Sequence, residues 1–379
     1  MPCLAVVPGN TIDDLIDKGL LQRFSGYYNP RGYFDRVVIL SPFETAMREV
    51  GGMTVIPTKD HQLPSRLKAA KADLVRAYGG GTSADMAVFY RRAGIPVIVS
   101  IHDKRSSMIH PGIVHADIVF AVSQELRLIL IARGVRPERI MVVPNGVDGV
   151  LMRPVSADAF ADLTKRYPFK YKLLHVGRKS PEKNIEALIF ALARLGPDYG
   201  LVAVGQGNTD LYEALALAQG VADRCIFLPG MPQEGLACFY NWADCVCHPS
   251  RSEAMCNVLL EALACGAAVV STVTAATGLG EAPLKALRLV IDPGNIVRLS
   301  EEIRSVCQDP DIRAQLRASA RASVEPLFLE QAQAHEIACY KKVLDMQAQG
   351  LFRRSLADNA RLCVANTLRR VSRVLGTTL

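Results

Sequence analysis

No apolar run in the 379 residues approaches the roughly 18 needed to cross a bilayer, which excludes a helical membrane span. The opening Met1-Pro2-Cys3-Leu4-Ala5-Val6-Val7-Pro8 lacks a basic stretch and a long apolar one. It reads as a first β-strand rather than a secretory signal. The ten cysteines include no Cys-x-x-Cys pair and no spacing typical of a disulfide framework, so a reduced, cytoplasmic setting is expected. The tightest cluster, Cys245-x-Cys247-His248, puts both sulfurs on one face of a strand but brings no evident third or fourth ligand. Buried small residues are the expectation there, and no metal site is assigned. No Gly-x-Gly-x-x-Gly follows the first strand, which argues against a nicotinamide dehydrogenase. No nucleic-acid partner is expected.

Half of the residues are apolar and only 21% are charged, a composition that buries a large core rather than staying disordered. The length exceeds what one core usually covers, so two domains are expected. The net charge of +7 is uneven, because residues 350–379 hold six arginines against the single acid Asp358.

Short β-branched runs alternate with helix-like stretches almost throughout. The first series of strands is Cys3–Val7, Arg36–Leu40, Thr54–Ile56, Leu74–Ala77, Val97–Ile101, Ile118–Ala121 and Ile140–Val143. The second is Leu173–Val176, Leu201–Val204, Cys225–Leu228, Cys245–His248, Ala268–Ser271 and Leu289–Ile291. Amphipathic stretches such as Glu125–Arg133, Ile185–Leu195 and Asp210–Gln219 lie between them. This pattern predicts an α/β fold of two doubly wound, Rossmann-like domains with parallel sheets covered on both faces. The break near Pro144-Asn145-Gly146-Val147-Asp148 divides the chain into domains 1–150 and 151–345, followed by a basic amphipathic tail, 346–379.

Ligands of open parallel sheets sit beyond the carboxyl ends of the strands. After Leu173–Val176 comes Gly177-Arg178-Lys179-Ser180-Pro181-Glu182-Lys183-Asn184, opening a helix. Gly177 permits close backbone approach, and Arg178 and Lys183 are two cations that suit a diphosphate. A solvated basic loop is the plain alternative. After Cys245–His248 comes a stretch from Pro249 to Gly266 in which Glu253 and Glu261 are eight positions apart. On one continuous helix that spacing is about 12 Å along the axis and about 80° around it. The span fits a nucleotide sugar, with the free N–H groups of the helix's first turn aimed at the diphosphate. Solvated helix ends are again the alternative, although Glu261 stands in an apolar context that makes this uncomfortable.

The stretch Glu253-Ala254-Met255-Cys256-Asn257-Val258-Leu259-Leu260-Glu261 resembles the Glu-x7-Glu motif of retaining GT-B glycosyltransferases, family 4 or group 1. The likeness runs from about Ile95 to Tyr340. It takes in Ser123-Gln124-Glu125-Leu126, Val142-Val143-Pro144-Asn145-Gly146-Val147-Asp148, Val204-Gly205-Gln206-Gly207 and Phe227-Leu228-Pro229-Gly230. The resemblance implies a GT-B fold with an inter-domain cleft. It also implies retaining transfer of a hexose-type sugar from a nucleoside-diphosphate sugar to a glycan, glycolipid or lipid-linked acceptor. Glu253 would meet the sugar hydroxyls, and His102 would face the transferred sugar from the first domain. Gly177, Arg178, Lys183, Met231, Ala254, Met255, Cys256, Asn257, Val258 and Glu261 would bind the donor, Glu261 at the ribose. Gly9 and Asn10 would lie on the acceptor side.

This chain departs from the family pattern in two places. Ala254-Met255-Cys256 replaces the Gly-Phe-Gly of many relatives, while Pro8-Gly9-Asn10-Thr11 is a reduced glycine-rich loop that leaves acceptor contacts open. The lone Asp-x-Asp, Asp309-Pro310-Asp311, reads as a turn between helices, so a transfer without cofactor or metal is expected. The tail interleaves its arginines with Leu356, Leu362, Val364, Leu368, Val371 and Leu375. It fits either a last helix bracing the first domain or a peripheral helix on an anionic membrane surface. A nucleotide-sugar epimerase of the same fold and a non-catalytic nucleotide-sugar-binding protein are the competing functions.

Overall fold

The computed structural model describes residues 2–17, 24–91, 94–352, 364–365 and 367–368. The chain forms two compact units, Met1–Pro144 with Gln333–Leu379, and Asn145–Ala332.

The first unit is built on an eight-stranded sheet. Its strands are β1 (Cys3–Val7), β2 (Arg36–Ser41), β3 (Arg48–Val50), β4 (Met53–Pro57), β5 (Leu74–Tyr78), β6 (Val97–Ile101), β7 (Ile118–Ala121) and β8 (Ile140–Val142). Their order is β3-β4-β2-β1-β5-β6-β7-β8, parallel except for β3 against β4. Every residue of β1, β5, β6 and β7 is buried, as expected of parallel strands covered on both faces. The predicted strands all recur within a residue or two at each end. Only β3 goes unpredicted, since it is a three-residue, partly exposed edge strand with the sequence Arg-Glu-Val.

The second unit is a six-stranded, all-parallel sheet ordered β11-β10-β9-β12-β13-β14. Its strands are β9 (Tyr171–Val176), β10 (Tyr199–Val204), β11 (Cys225–Leu228), β12 (Cys245–His248), β13 (Val269–Thr272) and β14 (Arg288–Val290). Helix Ile185–Leu195 packs Ile185, Leu188, Ile189 and Leu192 onto this sheet beside Leu299, Ile303 and Val306 of helix Ile296–Gln308. Asp309 caps the next helix, Pro310–Val324, accepting from the N–H groups of Asp311 and Ile312 at 2.9 and 3.1 Å. The Asp-x-Asp is thus a helix start.

The first segment ends at Pro144, inside the expected break, and Gln333–Leu379 joins the same unit, so the second unit runs from Asn145 to Ala332. The helix Leu329–Ala348 carries the chain back into the first unit, where Tyr340 and Val343 are fully buried among Tyr28, Phe34 and Phe120. Arg76, buried in β5, holds that helix. Its guanidinium contacts Glu336 and the Tyr340 hydroxyl, and its Nε donates to Ser100 Oγ at 2.7 Å. An arginine in an apolar core needs such partners, which is why residues 333–348 belong to the first unit. Of the basic tail, residues 353–363, 366 and 369–379 lie outside the described residues. No described helix is long and apolar enough to cross a membrane.

Candidate functional site

In the second sheet, β9 lies between β10 and β12; the chain runs from β9 to β10 and β11 on one side, then crosses back to β12 on the other. The crevice at such a switch point is where open α/β sheets bind ligands. The two loops that meet there follow β9 (Gly177–Asn184) and β12 (Pro249–Cys256). They are stitched together by polar contacts. The N–H of Arg251 and the hydroxyl of Ser250 donate to the Glu182 carbonyl at 2.8 and 2.9 Å. Asn184, in the left-handed conformation at φ 57°, donates to the carbonyls of Pro249 (3.1 Å) and Pro293 (2.9 Å). Its side-chain oxygen accepts from Arg251 at 2.6 Å. An Asn tolerates that backbone and fills the junction with its own amide.

Lys183 Nζ contacts the Glu253 carboxylate, and the two side chains are 15% and 14% exposed. His248 Nε2 lies 3.3 Å from the same carboxylate oxygen and 3.3 Å from Cys256 Sγ. Burial pushes the Glu253 carboxyl up. The hydrogen bond and charge of His248, together with Lys183, outweigh it and hold the group at about 2. Burial opposes charge on His248 as well, yet Cys256 and Glu253 raise its imidazole to about 9. Glu253 is therefore a carboxylate between cations. Arg178, the other expected phosphate ligand, is 67% exposed and pairs with Glu182 at 3.3 Å.

Glu253 and Glu261 are not on one helix. That helix begins at Asn257, so Glu253 lies in the preceding loop, and the 12 Å, 80° relation of a continuous helix does not hold. The loop residues Pro249–Cys256 are held by Glu182, Asn184 and Lys183, contacts that a helical backbone there would break. Glu261 is buried inside helix Asn257–Ala264. It accepts from Tyr240 Oη at 2.8 Å and Gln233 Nε2 at 2.7 Å, both on helix Gln233–Trp242. Those partners answer the objection to an acid in apolar surroundings. The helix closes at Gly266, with φ 70°, as its sequence indicated. Cys256, at the N-cap of this helix, makes no side-chain capping hydrogen bond to it. Ala254, Met255 and Cys256 are buried, while Val258 and the exposed Asn257 open the helix. Asn257 Oδ1 accepts from Asn145 Nδ2 at 2.9 Å. Gly177 ends β9 beside Gly205, and Met231 follows β11 next to Gly235.

Sequence reasoning missed several participants. Lys179 turns inward, donating to the carbonyls of Gly205 and Leu228. It ties the ends of β10 and β11 to the loop after β9. Tyr240, Gln233 and Asn184 carried no local signal. His248 was noted beside Cys245 and Cys247, but strand alternation separates them. The two sulfurs approach each other at 3.6 Å, and His248 faces Glu253 and Cys256 instead.

His102, Gly9 and Asn10 belong to the first unit, whose switch point is β1/β5. His102 follows β6, exposed, with its ring stacked on Tyr78 at 6.0 Å. Gly9 and Asn10 follow β1 and are exposed. A side chain at Gly9 would press on the Tyr78 carbonyl at 2.8 Å.

Two family models match the chain. One described as glycosyl transferases group 1 matches residues 164–323, and one described as Glycosyltransferase Family 4 matches residues 30–149. Together they span most of the chain. The chain belongs to the group 1 glycosyltransferases. A curated relative, the D-inositol 3-phosphate glycosyltransferase of Acidothermus cellulolyticus, is 30% identical over 271 residues, 61% of this chain and 58% of its own. The chain spans about half the length of the first such relatives, between 43% and 58%. Among solved structures, HepE from Anabaena in complex with UDP has a TM-score of 0.73 at 20% identity, covering 90% of this chain and 100% of that one. Sucrose-phosphate synthase from Thermosynechococcus elongatus gives 0.73 at 19%, covering 91% and 100%. At such identities the likeness is one of fold, and the fold of this group 1 glycosyltransferase is GT-B.

Proposed function

We propose that this protein transfers a hexose from a nucleoside-diphosphate sugar to an acceptor hydroxyl, with retention of configuration and without a required metal. The observation that carries the reading is the meeting of Lys183 and Glu253 at the β9/β12 switch point, beside the helix that holds Glu261. Arg178, Lys183 and the helix N-terminus oppose the charge that develops on the departing diphosphate, which is electrostatic preorganisation. Glu253, fixed as a carboxylate, accepts hydrogen bonds from the sugar hydroxyls. Glu261, oriented by Tyr240 and Gln233, accepts from the ribose. His102 is proposed to face the transferred sugar from the first unit, with Gly9 and Asn10 toward the acceptor.

UDP is the first nucleotide to try, since HepE was solved with it. Acceptors to try are glycans, glycolipids and lipid-linked sugars. The names of the curated relatives add a phosphorylated polyol. A cytoplasmic location, peripheral on an anionic membrane through residues 350–379, completes the proposal. A thermal-shift panel of UDP-, GDP- and ADP-sugars selects the donor, because a ligand stabilises the folded state by mass action. NMR of the product formed with each acceptor then reads the anomeric configuration. An inverted product, or donor conversion that needs no acceptor, would refute the reading.

A further inference from the structure

The side chains of His248, Glu253 and Cys256 each offer one metal-ligand atom, and these atoms lie within 4.8 Å of one another. We propose that they form a three-ligand site for a thiophilic divalent cation, zinc above all, and that zinc bound there inhibits the protein.

The spacing supports this. Zinc bonds of about 2.0–2.2 Å to nitrogen or oxygen and about 2.3 Å to sulfur put tetrahedral ligands roughly 3.4–3.6 Å apart. His248 Nε2 is 3.3 Å from both the Glu253 oxygen and Cys256 Sγ, so two of the three separations are already close to that value. The third is no more than 4.8 Å. His248 and Cys256 are buried, which fixes their rotamers and excludes bulk water. Imidazole, carboxylate and thiolate together select a borderline-soft ion, whereas magnesium and calcium prefer oxygen ligands alone. On binding, the thiol proton and any proton on His248 pass to solvent. The thiolate and carboxylate then cancel the two charges of the ion. Lys183 then faces a site with no net charge.

Three protein ligands leave the fourth position to water. Inhibition rests on the role proposed for Glu253: a carboxylate committed to zinc cannot accept from the sugar hydroxyls. Zinc should therefore weaken the nucleotide sugar more than the nucleoside diphosphate.

The test uses the full chain, stripped with EDTA and dialysed. Calorimetry with zinc chloride should show one site. Cobalt in its place should give a thiolate-to-cobalt charge-transfer band. Cys256→Ala should lose more than the roughly 10–100-fold that removing an outer-shell partner costs. Cys238→Ala, which removes a partly exposed cysteine, should change nothing. As a check that needs no variant, zinc should protect Cys256 from alkylation, read by peptide mass spectrometry. No one-to-one site, no thiolate band, or unprotected Cys256 at saturating zinc would each overturn the site. Zinc binding with unchanged affinity for the nucleotide sugar would leave the site standing and refute the inhibition and the role given to Glu253.

Discussion

Replacing Lys183 with alanine should weaken nucleotide-sugar binding by one to two powers of ten in a chain that still folds. Its ammonium is mostly buried against Glu253, so solvent would screen little of the contact proposed between it and the phosphate oxygens. A hydrogen bond to a charged group in that setting is worth roughly 1.5–3 kcal/mol, and each 1.4 kcal/mol is about tenfold in affinity. The same change strands part of the Glu253 charge. Breaking a buried pair costs about 3–5 kcal/mol when the remaining charge has no partner. Glu253 keeps His248 at 3.3 Å, so the loss of stability should fall short of that range. The assay is calorimetry with the selected donor on wild type, Lys183→Ala and Lys183→Arg, with urea melts alongside. Lys183→Arg should recover part of the affinity. Wild-type donor affinity in a folded Lys183→Ala would refute the assignment of this loop to the diphosphate.

Glu261→Gln should lower donor affinity about tenfold, as loss of a charged acceptor for the ribose implies. Equal affinity by calorimetry would remove Glu261 from the site. Gly205→Ala should destabilise the second unit by roughly 1–3 kcal/mol, because its Cβ would stand 1.8 Å from the Gly177 carbonyl oxygen. An unchanged urea midpoint would contradict that close approach. Turnover should persist in excess EDTA, and loss that magnesium or manganese restores would show that the cations and helix N-terminus do not suffice. Deleting residues 350–379 should abolish sedimentation with phosphatidylglycerol vesicles while leaving activity on a soluble acceptor. Each basic residue near the surface contributes about 1 kcal/mol, so binding should fall steeply with salt. Full-length protein that stays in the supernatant at low salt would end the membrane reading.

The strands were legible because each parallel strand buried on both faces is a short apolar run, such as Val97–Ile101 or Cys245–His248. Local sequence carries that signal. The loops that follow β9 and β12 were legible as well, since Gly177, the cations and Glu253 stand in the segments that come straight after strands. Their internal geometry was not. Lys183 meets Glu253 across 70 positions, and Tyr240 meets Glu261 across 21. Glu253 leaves the helical register because Glu182 and Asn184 hold the loop before it. The cluster of His248, Glu253 and Cys256 joins a strand end, a loop and a helix cap, a spacing that matches neither the period of a strand nor that of a helix. The return of the chain at Gln333 was hidden for a similar reason. Its cause is Arg76, more than 250 residues upstream of Glu336 and Tyr340.

That return sets an order of events during biosynthesis. The second unit is one uninterrupted segment, so it is complete once residue 332 has left the ribosome. The first unit begins to emerge earlier yet finishes later, because Tyr340 and Val343 fill its core and are made after the second unit. Until then the Arg76 guanidinium, destined for full burial, has Ser100 as a neighbour but neither Glu336 nor Tyr340. A nascent or truncated chain ending before residue 333 would carry an open apolar sheet with an uncompensated cation inside it. Such a chain is a substrate for chaperones and proteases. The first unit is thereby completed only on chains whose second unit has already been made.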